Sequence, residues 1–245
     1  GLGEPFLSQD FVPMVEYARK RHIWVRSTTN ASLLDRKDNY RISIFTDCFL
    51  IGCPIKKGGH RYNFIEGSDE FFDVLSMIQL FQSEMINQGY FVRGAIAVDE
   101  LYMDDVIIYG NGVTEAYETE SKKAKFPRIV LAESAKDLFM EIEEGFIKKG
   151  EKNFLSHFIN KDSDGWLFLN YLESIKIGDE NHQFVDELEK HKKMIERELS
   201  KYHQKPDVLE NYVWAANYHN FFCNQPPYYK EYRVDLTKYK MSVFE

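Results

Sequence analysis

Ile108-Tyr109-Gly110-Asn111-Gly112-Val113-Thr114-Glu115-Ala116-Tyr117-Glu118-Thr119-Glu120-Ser121 is the stretch on which the fold turns. Two glycines bracket an asparagine, a turn signal, and residues 113–123 then read as a helix. Before it lies a second hairpin, with arms over 90–98 and 106–109 and Met103-Asp104-Asp105 in its turn region. After it, 126–131 reads as a strand with Pro127 at its start, where a missing N–H does least harm. Ser134 then opens a helix through residue 147, with Asp137 in its first turn, where the helix dipole favours a carboxylate.

Working outward, 40–53 alternates and then becomes continuously apolar, the pattern of a buried hairpin with Thr46-Asp47 near its turn. Residues 56–67 form a Gly- and Lys-containing loop, and Ser68 can cap an amphipathic helix over 71–88 that Gly89 ends. Apolar spacing over 6–26 suits a helix, and the polar 27–39 reads as a connection. Beyond Gly150 the chain turns long-helical, with an undecided segment around 166–175. Phe184, Leu188, His191, Ile195, Leu199 and Tyr202 make one stripe, Pro206 stops that helix, Asp207 caps the next, and Val208, Tyr212, Ala215 and His219 continue at helical spacing. The aromatic tail over 228–245 can add an edge strand. Two parts result: an α+β domain over 1–150 and a helical extension over 151–245.

Composition narrows the classes. A chain of 245 residues that is 44% hydrophobic buries a sizeable core without staples. Cys48, Cys53 and Cys223 include no CxxC pair and read as buried thiols of a reducing compartment. No run approaches the roughly 18 apolar residues that span a bilayer, and the start lacks signal-peptide order, so the cytoplasm is expected and no membrane partner. A net charge of −8 argues against nucleic-acid binding, which is largely phosphate neutralisation. Lys122-Lys123 and Lys192-Lys193 read as solvated helix faces.

The order hairpin, helix, hairpin, helix, strand is what a ferredoxin-like palm produces. On that reading strands near 41–45, 48–53, 91–98, 106–109 and 127–131 share one mainly antiparallel sheet, with helices 71–88 and 113–123 on a common face; opposite faces would refute the palm. The motifs resemble the catalytic domain of class III nucleotidyl cyclases. Gly110, Val113, Ala116, Glu120 and Ser121 match in register the family stretch Gly-Asp-x-Val-Asn-x-Ala-x-Arg-x-Glu-Ser, Ile44-Phe45-Thr46-Asp47-Cys48-Phe49-Leu50 resembles its metal-binding hairpin, and Phe126-Pro127-Arg128-Ile129-Val130-Leu131 stands where its next strand follows. The likeness covers roughly residues 40–133.

What the resemblance implies is a catalytic set largely replaced. Asp47 stands at a metal-ligand position; its partner would fall on an upstream strand, of which Gly1-Leu2 reads as a remnant. Thr114 occupies the place of the family's catalytic Asn and Glu118 that of its Arg; Ser43 and Asn111 replace the base-reading Lys and Asp. A carboxylate beside a developing phosphorane repels it. The expectation is a degenerate cyclase-homology protein that binds a nucleotide-like ligand or serves as a signalling scaffold, a homodimer joined through its C-terminal helices. An active Mg²⁺- or Mn²⁺-dependent cyclase, resembling bacterial pyrimidine cyclases, is the alternative; a pure interaction module is the third. Without activity no cofactor is expected.

Each residue also has a plainer reading. Asp47 binds Mg²⁺ or caps a turn. Arg93 contacts a phosphate or pairs with Glu120 or another helix acid. Glu118 and Glu120 are acid/base groups or solvated, Arg-paired helix residues. Tyr102-Met103-Asp104-Asp105 shares four letters with the metal hairpin of reverse transcriptases, yet the acidic, short chain favours a polar hairpin turn. Between Trp214 and Cys223 the aromatics suit core packing, with His219 and Asn220 satisfied locally.

Overall fold

The computed structural model describes residues 26–31, 41–45, 48–55, 65–87, 89–104, 107–150, 157–178, 182–226 and 228–239. All but Arg26 of the helix expected over 6–26, the Thr46-Asp47 turn and most of the 56–67 loop lie outside the described residues.

The expected hairpin forms as β2 (Arg41–Phe45) and β3 (Cys48–Cys53), paired antiparallel. Residues 27–39, read as a polar connection, instead contain a strand, β1 (Arg26–Ala31). It lies between β3 and β4 (Arg93–Ala97) and runs parallel to both, with Thr28 opposite Leu50 and Ala95. Its sequence carries no apolar alternation, so periodicity could not reveal it; Thr28 and Thr29 are its β-branched support. β7 (Ile129–Leu131) pairs parallel with β4, and β8 (Ile159–Lys161) and β9 (Leu167–Leu169) close the other edge antiparallel. The strand order is β2-β3-β1-β4-β7-β9-β8. Three of the six pairings in this sheet are parallel, so it is mixed, not mainly antiparallel.

Parallel neighbours need crossovers, usually helical, and these cover both faces. Helix α1 (Ser68–Asn87) connects β3 to β4, and α3 (Glu133–Lys149) follows β7; Leu75, Ile78, Phe139 and Ile142 bury against Ile96, Ile129 and Leu131. Helix α2 (Asn111–Lys123) connects β4 to β7 on the other face, where Ala116 meets Ala95, Ala97 and Val130. The helices expected to share one face thus lie on opposite faces, and the single-faced palm is corrected to a sheet covered on both sides. Nor does 106–109 join it. β5 (Tyr102–Met103) and β6 (Ile108–Tyr109) form a separate two-stranded ribbon, anchored by Leu101 and Met103 on Leu50.

Two more helices, α4 (His182–Lys201) and α5 (Pro206–Cys223), complete the second face. Pro206 opens α5 at its first position rather than ending α4, and Asp207 stands in the first turn without capping it. α5 is buried nearly all round, from Tyr212 through Cys223 with few breaks, as a helix inside a core must be. The α4 stripe of Leu188, His191, Ile195 and Leu199 is buried as well. The apolar stripes of α4 and α5 left two placements open, a subunit contact or cover for the sheet, and both helices cover the sheet within one chain. The tail contributes a short 3₁₀ helix, Lys230–Tyr232, in place of the expected edge strand among its described residues.

Arg128, at the start of β7, ties these layers together. It is fully buried, ion-paired to Asp162 and Asp164, and donates to the Lys123 carbonyl at 3.2 Å. The Trp214 indole N–H donates to the same Asp162 at 2.8 Å. Burial alone would raise the Asp164 carboxyl; Arg128 outweighs it and holds the group below the usual carboxylate range.

Candidate functional site

The turn before α2 is built on a backbone that only glycine tolerates. Gly110 has φ 144°, and a Cβ there would sit 2.2 Å from the Glu100 carbonyl oxygen. The Gly112 amide donates to that same oxygen at 3.2 Å, which fixes the start of the helix against the chain leaving β4. Alternation along β4 sends Arg93, Ala95 and Ala97 toward α2, whose inner face is Gly112, Ala116 and Glu120. Small residues let helix and strand approach, and Arg93 Nε meets buried Glu120 at 2.6 Å. Arg93 is therefore tied to the helix, the second of the two readings its sequence allowed.

Asn111, Thr114 and Glu118 fall three and four residues apart, and all three are exposed on the outer face of α2. The Thr114 hydroxyl donates back to the Gly110 carbonyl at 3.3 Å, and Glu118 accepts from Lys122 at 2.8 Å. Neither is set to donate to a substrate. Ser43 stands on edge strand β2, three strands from β4, about 14 Å across the sheet at ordinary strand spacing. The structure thus gathers three of the candidates, turns Arg93 inward and leaves Ser43 apart. Asp47 lies outside the described residues, and among those described no group of three or more His, Cys, Asp or Glu side chains is placed to hold a metal ion.

Asp104 behaves as a turn residue. Its Oδ1 accepts the Ile107 amide at 2.6 Å and its Oδ2 the Tyr102 hydroxyl at 2.8 Å. Both oxygens are engaged within the hairpin, as the polar-turn reading expects. Glu115, which sequence reasoning passed over, does for α3 what a cap does: it accepts the Ser134 amide at 3.1 Å and the Ser134 hydroxyl at 2.5 Å. Ser134 Oγ in turn accepts the Val98 amide at 2.9 Å.

Comparison with protein-family models, curated proteins and solved structures finds no match. The likeness to class III cyclases accordingly rests on the motifs of residues 40–133. No helix among the described residues is long and apolar enough to cross a membrane.

A second polar cluster sits between α4 and α5. His191 Nδ1 and His219 Nδ1 are 2.9 Å apart, Tyr171 OH lies 3.3 Å from His191 Nε2, and His219 Nε2 lies 2.9 Å from the Tyr232 carbonyl. A carbonyl only accepts, so His219 carries its proton on Nε2 and presents a bare Nδ1. His191 must then donate from Nδ1 and accept the Tyr171 hydroxyl at Nε2. Both rings are neutral. Burial drives His219 down to about 4, and burial followed by repulsion from His219 holds His191 well below its ordinary value. Burial also pushes the Cys223 thiol up to about 12, so it presents no thiolate. His219 and Asn220 are satisfied locally, as core packing requires; His219 meets Tyr232, and Asn220 holds Val234 by two hydrogen bonds of 2.9 and 2.8 Å.

Proposed function

We propose that this chain is a divergent relative of class III cyclases that binds a nucleotide-like ligand, or holds a partner as a signalling scaffold, without turning substrate over. One observation carries the reading: the turn and helix of the resemblance are built around Gly110, while the two positions implied to stabilise the transition state are spent, Thr114 on its own helix and Glu118 on Lys122. Catalysis of phosphoryl displacement is mostly placed donors and cations, and a carboxylate paired to a neighbouring lysine is neither. The exposed stripe of Asn111, Thr114 and Glu118 beside a rigid turn still offers hydrogen-bonding groups to a ligand.

The test is binding. Hydrogen exchange with ATP, GTP, CTP and UTP, each with Mg²⁺, should slow amides of residues 108–118 for at least one nucleotide. Asn111→Ala should weaken that nucleotide about two- to tenfold, the worth of one ordinary hydrogen bond. Exchange unchanged with all four would remove the nucleotide and leave the scaffold. The homodimer that the resemblance implies would need a surface other than the buried stripes of α4 and α5.

A further inference from the structure

We propose that the cleft between the C-terminal half of α5 and the tail binds a phosphorylated small molecule carrying a flat ring, at a site separate from the α2 stripe and independent of the reading above. The cleft encloses about 880 Å³, inside the span of about 300–1,000 Å³ usual for small-molecule sites. Three cations from three places line it: Lys161 at the end of β8, Lys230 in the 3₁₀ helix and Arg233 after it. None of the three has an ion-pair partner among the described residues, although carboxylates outnumber cations in the chain as a whole.

The two carboxylates of the lining offset these cations only in part. Asp162 is buried and belongs to Arg128 and the Trp214 indole. Asp235 accepts the Thr237 amide at 2.9 Å. Three cations against two carboxylates leave the lining one positive charge in excess in a protein of net charge −8, which favours anions.

Arg233 is also held in place. The carbonyl of Tyr232 accepts from His219, and the backbone of Val234 is bonded at both N–H and C=O to buried Asn220, so both neighbours of Arg233 are pinned to α5. Its own backbone is extended, φ −64° and ψ 145°. Val234 is buried in the core, whereas Arg233 beside it is exposed and lines the cleft. A guanidinium on a fixed backbone suits bidentate grip on phosphate. Phe221, 41% exposed on a helix whose other aromatics are mostly buried, supplies the ring face on the same wall.

The experiment uses the full chain in metal-chelated buffer, with pyrophosphate and ADP as probes, read by calorimetric titration and by hydrogen exchange. Both probes should bind and slow exchange over 217–237, with ADP the tighter. Lys230→Ala with Arg233→Ala should weaken both by about tenfold or more, the worth of charge-assisted bonds to an anion, with the melting temperature unchanged because both side chains are exposed. Phe221→Ala should weaken ADP about fivefold or more and leave pyrophosphate alone, as loss of a stacking face does. No protection over 217–237 at about 5 mM probe, beyond the weak end of useful affinities, overturns the site, as does affinity unchanged in the double variant. Protection confined to 108–118 would assign the probe to the α2 stripe and equally overturn it. ADP affinity indifferent to Phe221→Ala refutes the flat-ring requirement.

Discussion

Arg128→Ala lowers the unfolding free energy by about 3–5 kcal/mol, the cost of stripping one partner from a buried ion pair. Its guanidinium is fully buried, and with it gone Asp162, 1% exposed, is left as a desolvated charge held by the Trp214 indole and its own neighbour Ser163. The loss would propagate, because Asp162 joins the loop after β8 to α5, and α5 carries Trp214, the largest fully buried side chain among the described residues. Urea unfolding at neutral pH measures it as a lower midpoint with unchanged slope. Arg128→Met combined with Asp162→Asn should recover much of the loss, since a neutral amide still accepts from Trp214 and no buried charge remains. A single-variant loss under about 1 kcal/mol, the range of surface pairs, would contradict the burial.

Acid should destabilise the protein before its carboxylates titrate. His219 and His191 have folded-state values below the ordinary 6.5. The unfolded chain takes up protons as pH falls through 6.5, while the native pair stays neutral until about 4 or lower. Stability is thus complete above about 6.5 and falls between there and about 4, by about 3 kcal/mol from His219 alone. The groups around the pair do not reverse the sign: Lys192 disfavours a second positive charge, and the Tyr171, Tyr218 and Cys223 protons stay in place, since burial raises all three groups. Unfolding midpoints from pH 7.5 to 4.5 (roughly this window) compare wild type with His219→Gln, whose amide can accept from His191 and donate to Tyr232. The variant's curve should be shallower by about one proton. Parallel curves would contradict a neutral buried pair.

Residues 40–53 were legible as a hairpin because alternation followed by a continuous apolar run has one economical solution, a strand pair with one half buried. Helices α1 to α4 were legible by period for the same kind of reason. Period says which residues are buried, not against which face, and so the opposite placement of α1 and α2 was hidden; the parallel crossovers that decide it depend on β1, whose Arg-Ser-Thr-Thr-Asn-Ala sequence announces no strand. α5 gave only a weak stripe since nearly every side buries. At the candidate site, the ion pair of Arg93 with Glu120 could be read from the motif, because both belong to one strand-helix unit. The link from Arg128 to Asp162 spans 34 positions and His191 to His219 spans 28, and no local pattern couples such pairs.

On the function proposed above, the turn and helix that resemble a cyclase are kept while Thr114 and Glu118 are spent on other partners. The direct measurement is cyclic nucleotide formation by the purified chain with Mg²⁺ or Mn²⁺ and each of ATP, GTP, CTP and UTP, followed by mass spectrometry against an enzyme-free control. Loss of one transition-state donor costs about 2.7–4 kcal/mol, or 10²–10³ in rate, and Glu118 adds a repulsive charge where the resemblance places an Arg. Product indistinguishable from the control is expected for all four nucleotides; robust product that disappears on Asp47→Ala would contradict the proposed function and make the chain an active metal-dependent cyclase.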